Sequence, residues 1–321
     1  YYRGAGLLAY DLYRTDEVHK RRDEIKHHLA ELVKDSPNDP LGRLINSLQK
    51  NDALKSETAN YNQYNPIDKI NLSQHQTHWA ELLRQGTFEI LTGDTGRIKK
   101  VDHLMYWIPF CISRHALEQA TKITSETEHD TLVVDMGVSP RLKRLSQQSL
   151  SSHQNILRRA PISAAEHVLK TGTLANQKLS SEQKAILEKI VNPDDEDVKT
   201  EQFQNSASNT SKFYVMSMAH IGALNHNKGV RNYTFKDLGL LEAIVYATIT
   251  DDEEVTLDEF CELILGKNLR MITDINSADE SILEKTDTND LEKNKKALSD
   301  MLLSLGLLTN YSDAVKKVRR R

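Results

Sequence analysis

The chain has 321 residues, enough for about two domains of ordinary size. Its 38% hydrophobic and 27% charged residues and net charge of -4 are those of a soluble globular protein. No window holds the roughly eighteen uninterrupted apolar residues that a membrane span needs, so a cytoplasmic protein without membrane contact is expected. Cys111 and Cys261 lie far apart inside apolar patterns and read as reduced core thiols. The first residue is Tyr rather than Met, and the true start is expected upstream.

In chain order, Gly6–Tyr13 is an apolar segment rich in Leu and Tyr. A charged helix follows, with Val18, Ile25, Leu29, Leu32 and Val33 on one stripe, and Asp35–Pro40 ends it. Leu41–Lys50 reads as a short helix and Asn51–Asn71 as a polar loop. Ser73 is placed to cap a helix bearing Trp79, Leu82 and Leu83. The Gly93–Gly96 sequence GDTG reads as a hairpin turn between two short strands. A phosphate cradle would need a Lys followed by Ser or Thr, and Arg97–Lys100 follows instead. Val101–Ile123 is a buried element of a soluble domain, because Asp102, His103, Arg114 and Glu118 interrupt it.

Leu132–Val134 predicts a strand that ends at Asp135. An acidic strand end is a placement that metal enzymes use, yet no second carboxylate at useful spacing accompanies it. A turn into Ser139–Ser152 is the expectation. There the chain turns basic, with Arg141, Lys143, Arg144, Arg158 and Arg159 set among Ser and Gln, a composition able to follow a phosphate backbone. Ile162–Leu187 reads as helix, with Ser163 or Ser180 as cap and Gln183 completing a capping box for the latter. Val191–Thr210 is polar and acidic and marks the expected domain boundary.

Phe213–Phe235 reads as a helix that stops at Gly222, an apolar pair, a turn with Gly229 and an alternating strand. Phe235–Thr250 is patterned as a buried helix. Thr256 with Glu259 predicts a capping box for a helix whose buried stripe is Leu257, Phe260, Leu263 and Ile264. After the acidic connection Asp274–Asp290, Lys295–Arg321 repeats the earlier order: a helix through Leu298, Met301, Leu302 and Leu305, a stop at Gly306, Leu307–Leu308, a turn at Tyr311–Asp313 and a strand with Val315 and Val318. Two copies are too few for a solenoid.

On these residues the C-terminal third, roughly Ser211–Arg321, resembles the winged helix-turn-helix superfamily, in tandem. The expected fold is mainly α: a helical N-terminal domain over 1–135, a partly basic helical segment over 136–192, a linker over 193–210, and winged-helix-like units over 211–321, the first completed by part of 160–235. The resemblance implies contact with DNA through a recognition helix and wing, or protein docking. Residues 213–321 carry 14 Lys and Arg against 18 Asp and Glu, a net of -4 that weakens the DNA reading. The candidate nucleic-acid contacts are the five basic residues of 141–159 together with Lys228, Arg231, Lys293, Lys295, Lys296, Lys316, Lys317, Arg319, Arg320 and Arg321.

The twelve histidines form no HExxH or similar ligand set, His75 and His78 coming nearest, and no GxSxG elbow is present. No catalytic, cofactor or metal residue is assigned. The expected function is therefore that of a non-catalytic subunit of a prokaryotic DNA-processing or anti-phage defence assembly, docking an ATPase or nuclease partner and assisting DNA contact. The alternative is a sequence-specific DNA binder of the repressor or replication-initiator type.

Overall fold

The computed structural model describes residues 19–32, 78–125, 130–174, 177–192, 201–227, 230–311 and 315–321, and these are mainly helical. The expectations for Gly6–Tyr13, Asp35–Pro40, Leu41–Lys50, Asn51–Asn71, Ser73 and Lys228 lie outside the described residues.

Helix α1 (His19–Leu32) buries Ile25 and Leu32 from the predicted stripe. Helices α2 (His78–Thr92) and α3 (Arg97–Thr124) bring in Trp79, Leu83, Trp107, Phe110 and Leu117, all fully buried. GDTG is therefore the turn between two helices, not a hairpin between strands. Gly86 is part of α2, and the Asp94 N–H donates to the Asp251 carboxylate at 3.0 Å.

Strand β1 (Leu132–Val133) leads into α4 (Pro140–Thr171), capped by Ser139 with Pro140 in its first turn. The predicted helix over 162–187 is in fact broken. Gly172, at φ 68°, ends α4, and a small hairpin of β2 (Thr173–Leu174) and β3 (Gln177–Lys178) precedes α5 (Ser181–Val191). The Ser180–Gln183 capping box is formed. Helix α6 (Glu201–His220) takes in the second half of the predicted linker.

Hairpin β4 (Leu224–Asn227) and β5 (Val230–Tyr233) follows, then α7 (Leu238–Thr248) and β6 (Val255–Thr256). Helix α8 (Leu257–Glu259) carries the predicted Thr256–Glu259 capping box and continues as a π-helix over Phe260–Asn268. That winding explains a missed side chain. Hydrogen bonds five residues apart change the phase of a stripe counted at 3.6 residues per turn, so Phe260 and Ile264 are buried while Leu263 is 43% exposed. The chain closes with β7 (Met271–Ile272), α9 (Glu280–Leu283), α10 (Thr288–Ser304), β8 (Leu308–Asn310) and β9 (Lys316–Val318).

The order helix, strand, helix, helix, hairpin occurs twice, as α3–β1–α4–α6–β4–β5 and as α7–β6–α8–α10–β8–β9. In the second run the sheet order is β6–β9–β8. In the first, the Asp135 N–H at the end of β1 donates to the Tyr233 carbonyl of β5 at 3.0 Å, so the returning strand again lies beside the early one. The helix stops also match. Gly222 and Gly306 both have φ 71°, a left-handed conformation open to glycine. The Ala223 N–H bonds to the Met218 carbonyl and the Leu307 N–H to the Leu302 carbonyl, each at 2.9 Å. The end of each returning strand then bonds back to the residue after the glycine, Thr234 to Ala223 at 3.1 Å and Arg319 to Leu307 at 3.0 Å.

Both runs carry an insertion between their last two helices, β2–β3–α5 in the first and β7–α9 in the second. Strand β7 pairs in parallel with β1, joining the runs. Buried Asn294 of α10 completes the joint, donating to the Val134 and Thr273 carbonyls at 2.9 and 2.7 Å and accepting from the Met136 N–H at 2.8 Å. The larger of two hydrophobic clusters among the described residues extends from Ile25 to Val318, and the smaller holds Val133, Leu142, Ile272 and Leu291.

Candidate functional site

The C-terminal cations lie on α10 and on the β8–β9 hairpin with its tail, where four of the eight, Lys295, Lys317, Arg319 and Arg320, meet acids. Lys295 bonds to Asp258 and lies 3.4 Å from Asp274. Burial pulls its pKa down, but the Asp258 bond and the Asp274 charge outweigh this and leave it raised. Glu254 takes both Lys317 at 3.3 Å and Arg319 at 3.2 Å. The Tyr311 hydroxyl donates to the same carboxylate at 3.0 Å, and this bond first, then Lys317, holds its pKa below the usual range. Lys316 donates to the Ser299 hydroxyl at 3.0 Å. Between α8, α10 and β9, Asp258, Lys295, Ser299 and Lys316 line a groove of about 340 Å³ with Thr256, Glu292 and Lys296.

Arg320 is withdrawn as a nucleic-acid candidate. Its side chain is 4% exposed, and its guanidinium lies 2.8 Å from Asp251, 3.5 Å from Glu89 and 2.7 Å from the Tyr246 carbonyl. It ties the C-terminal strand to α2 and α7 from inside. The basic tail predicted it as a surface charge because composition carries no information about which of three consecutive arginines points inward. Lys293, Lys296 and Arg321 remain exposed.

The five basic residues of the middle segment share one helix. All belong to α4, where Arg141, Arg144, Arg158 and Arg159 are exposed and Lys143 is half-buried near Asp135. Between them the exposed positions are Gln148, Ser151 and Asn155. At 100° per residue these positions fall within about 100° of arc, a stripe about 26 Å long at 1.5 Å per residue. It carries no carboxylate, since α4 has no Asp or Glu before Glu166. Sequence reading picked out the arginines and the Ser and Gln among them, but not which of those polar residues are exposed between the arginines. The recurrence of exposed positions at three- and four-residue steps was the available signal.

The opposite face of α4 fixes the stripe's direction. Leu142, Leu150, Ile156 and Leu157 enter the core. Ser146 bonds through its hydroxyl to the Tyr233 N–H at 2.8 Å, and His153 Nδ1 lies 2.7 Å from the Tyr233 hydroxyl. Beside the stripe, a groove of about 690 Å³ opens between α4 and α9. Gln148, Ser149 and Ser152 line one wall, and Ser281 and Lys285 the other. Its acids are engaged: Asp130 pairs with Arg270, and Asp279 caps α9 by accepting from the Ile282 N–H at 2.9 Å. Arg231 is exposed on β5, away from α10 in sequence and held by no ion pair among the described residues.

Several other titratable groups are buried or paired. Asp135 is buried, which raises its pKa, and it accepts from the Gly137 N–H at 2.9 Å as the turn into α4 requires. Burial pushes the thiols of Cys111 and Cys261 up. Glu242 is held at about 2 by the His103 imidazole, 3.6 Å away, and by Lys99 at 3.0 Å. His78 Nε2 lies 2.6 Å from the Asn268 carbonyl. Among the described residues no three His, Cys, Asp or Glu side chains converge as a metal site would need, and no helix is long and apolar enough to cross a membrane.

Comparison of the chain with family models, curated proteins and solved structures returns no match.

Proposed function

We propose that the chain is a tandem winged-helix protein and a non-catalytic subunit of a prokaryotic DNA-processing or anti-phage defence assembly. Its winged helices dock a protein partner, such as an ATPase or nuclease, and assist DNA contact. The observation that carries the winged-helix reading is the repeated connectivity with matching glycine stops and return hydrogen bonds at Gly222 and Gly306. Docking, rather than base recognition by the C-terminal unit, is supported by the pairing of Lys295, Lys317 and Arg319 with acids and by the net charge of -4 over 213–321.

Affinity purification of the chain from its native cell, with and without nuclease, tests this function. Stoichiometric protein partners that survive nuclease are the expected result. A chain that comes out alone overturns it.

A second reading, a sequence-specific repressor or replication initiator, takes support from the outward face of α10. Asn289, Lys293 and Lys296 are exposed there, with Leu303 as its exposed large apolar residue. Glu292 and Asp300 share that face and offset the two lysines.

A further inference from the structure

The proposed assembly contacts DNA, and the surface that does so is best sought where cations are not already neutralised. On the C-terminal hairpin Lys317 and Arg319 converge on one carboxylate, and a phosphate arriving there would have to displace it. On α4 the situation is reversed. Arg141, Arg144 and Arg158 are exposed and have no side-chain partner among the described residues. They lie on a face that has no acid over its whole length, in a chain where acids outnumber Lys and Arg by 46 to 42.

We infer that the exposed stripe Arg141–Arg144–Gln148–Ser151–Asn155–Arg158 of α4 is a binding surface for duplex DNA, with its arginines on phosphates. The inference rests on the DNA-associated reading above and moves the contact from the C-terminal unit to the middle of the chain.

Three features support it together. The first is length: about 26 Å separates the two ends of the stripe, which exceeds the roughly 12 Å width of the major groove, so its ends reach phosphates on both walls. The second is chemistry. Arginine supplies bidentate donors matched to phosphate oxygens, and the amide and hydroxyl side chains of Gln148, Ser151 and Asn155 can donate to phosphate, sugar or base-edge acceptors without adding charge. The third is rigidity. Leu150, Ile156 and Leu157 are buried on the reverse face, and Ser146 and His153 are hydrogen-bonded to Tyr233, so little side-chain-bearing backbone must be ordered on binding. Lys285, on the far wall of the adjoining groove, adds a cation beside the stripe, while Asp130 and Asp279 are occupied by Arg270 and by the α9 cap.

The test is binding of the full chain to a labelled duplex of random sequence over a series of salt concentrations. Replacing Arg141→Gln, Arg144→Gln and Arg158→Gln together should weaken binding at least about tenfold at low salt. It should also reduce the slope of log K against log salt by about 2.7, at about 0.9 for each phosphate no longer neutralised. A Lys293→Gln, Lys296→Gln variant should change affinity less than about twofold. Thermal unfolding of both variants checks that the fold is intact, as surface substitutions predict.

Wild-type affinity in the triple variant overturns the inference, and so does an equal loss in the α10 variant. Failure of the wild-type chain to bind duplex overturns it as well. Equally strong, stripe-dependent binding to vesicles of anionic phosphatidylserine would reassign the surface to a membrane. None of these results bears on the docking reading, which stands or falls on co-purifying proteins.

Discussion

At the C-terminal hairpin Lys317 and Arg319 share the carboxylate of Glu254 and Arg320 is sunk between Asp251 and Glu89, whereas Arg141, Arg144 and Arg158 of α4 face solvent without a carboxylate on their stripe. Both regions read as basic in the sequence. In the hairpin the charge is used internally, holding the last strand to α2, α7 and the turn after α7. On α4 the hydrophobic face does the holding and the charge is left over. A cluster of Lys and Arg is therefore informative about partners only after its acids have been located.

The largest expected effect is on stability at the hairpin. Arg320→Ala leaves Glu89 without its buried cation and should destabilise the fold by about 3 kcal/mol, read as a fall in the denaturant midpoint. Arg158→Ala on α4 should cost less than about 0.5 kcal/mol. Equal losses in the two variants would erase the distinction between the regions.

Asn294→Ala tests whether the two runs are held by their polar joint. It strips partners from the Val134 and Thr273 carbonyls and the Met136 N–H, and should cost about 2–3 kcal/mol. Amide hydrogen exchange should locate the loosening at β1 and β7, and protection there equal to wild type would refute the joint.

Acid sensitivity follows from Glu242. Its pKa is lowered from 4.5 to about 2, so its stabilising contribution is complete above about pH 4.5 and is lost as pH falls through about 2. The stability gap between wild type and Glu242→Gln, measured by urea unfolding, should therefore be open near neutral pH and close towards about pH 2. A gap independent of pH would show that the carboxylate charge contributes nothing.

Glu254→Gln gives the smallest effect and sharpens the comparison most directly. It frees Lys317 and Arg319, and the salt slope of retention on a DNA column should rise by no more than about 1.8, the value for two newly neutralised phosphates. Unchanged retention would mean that the hairpin is barred from DNA by more than its paired charge.

Much of the local structure was legible because it depends on near neighbours in the chain. Ser180 with Gln183 and Thr256 with Glu259 close their capping boxes within one helical turn, and Gly222 and Gly306 stop helices through their own φ. GDTG misled because its glycines and aspartate suit a turn between helices as well as one between strands, and it is the helices on either side, packed through Trp79 and Phe110, that show which it is. Leu263 misled because a π-helical run has no signature in a 3.6-residue pattern.

The site shows the same division. Sequence alone marked 136–192 as a partly basic helical segment, since composition belongs to one continuous stretch, while its single helix over Pro140–Thr171 with an acid-free exposed stripe emerged only in the structure. Only the tertiary structure decided that Arg320 is buried, that Glu254 lies against Lys317 and Arg319 more than sixty residues away, and that β7 joins β1. Those contacts are long-range, and ion pairs and strand pairings of that kind arise where the core happens to bring distant segments together, at positions no local periodicity encodes.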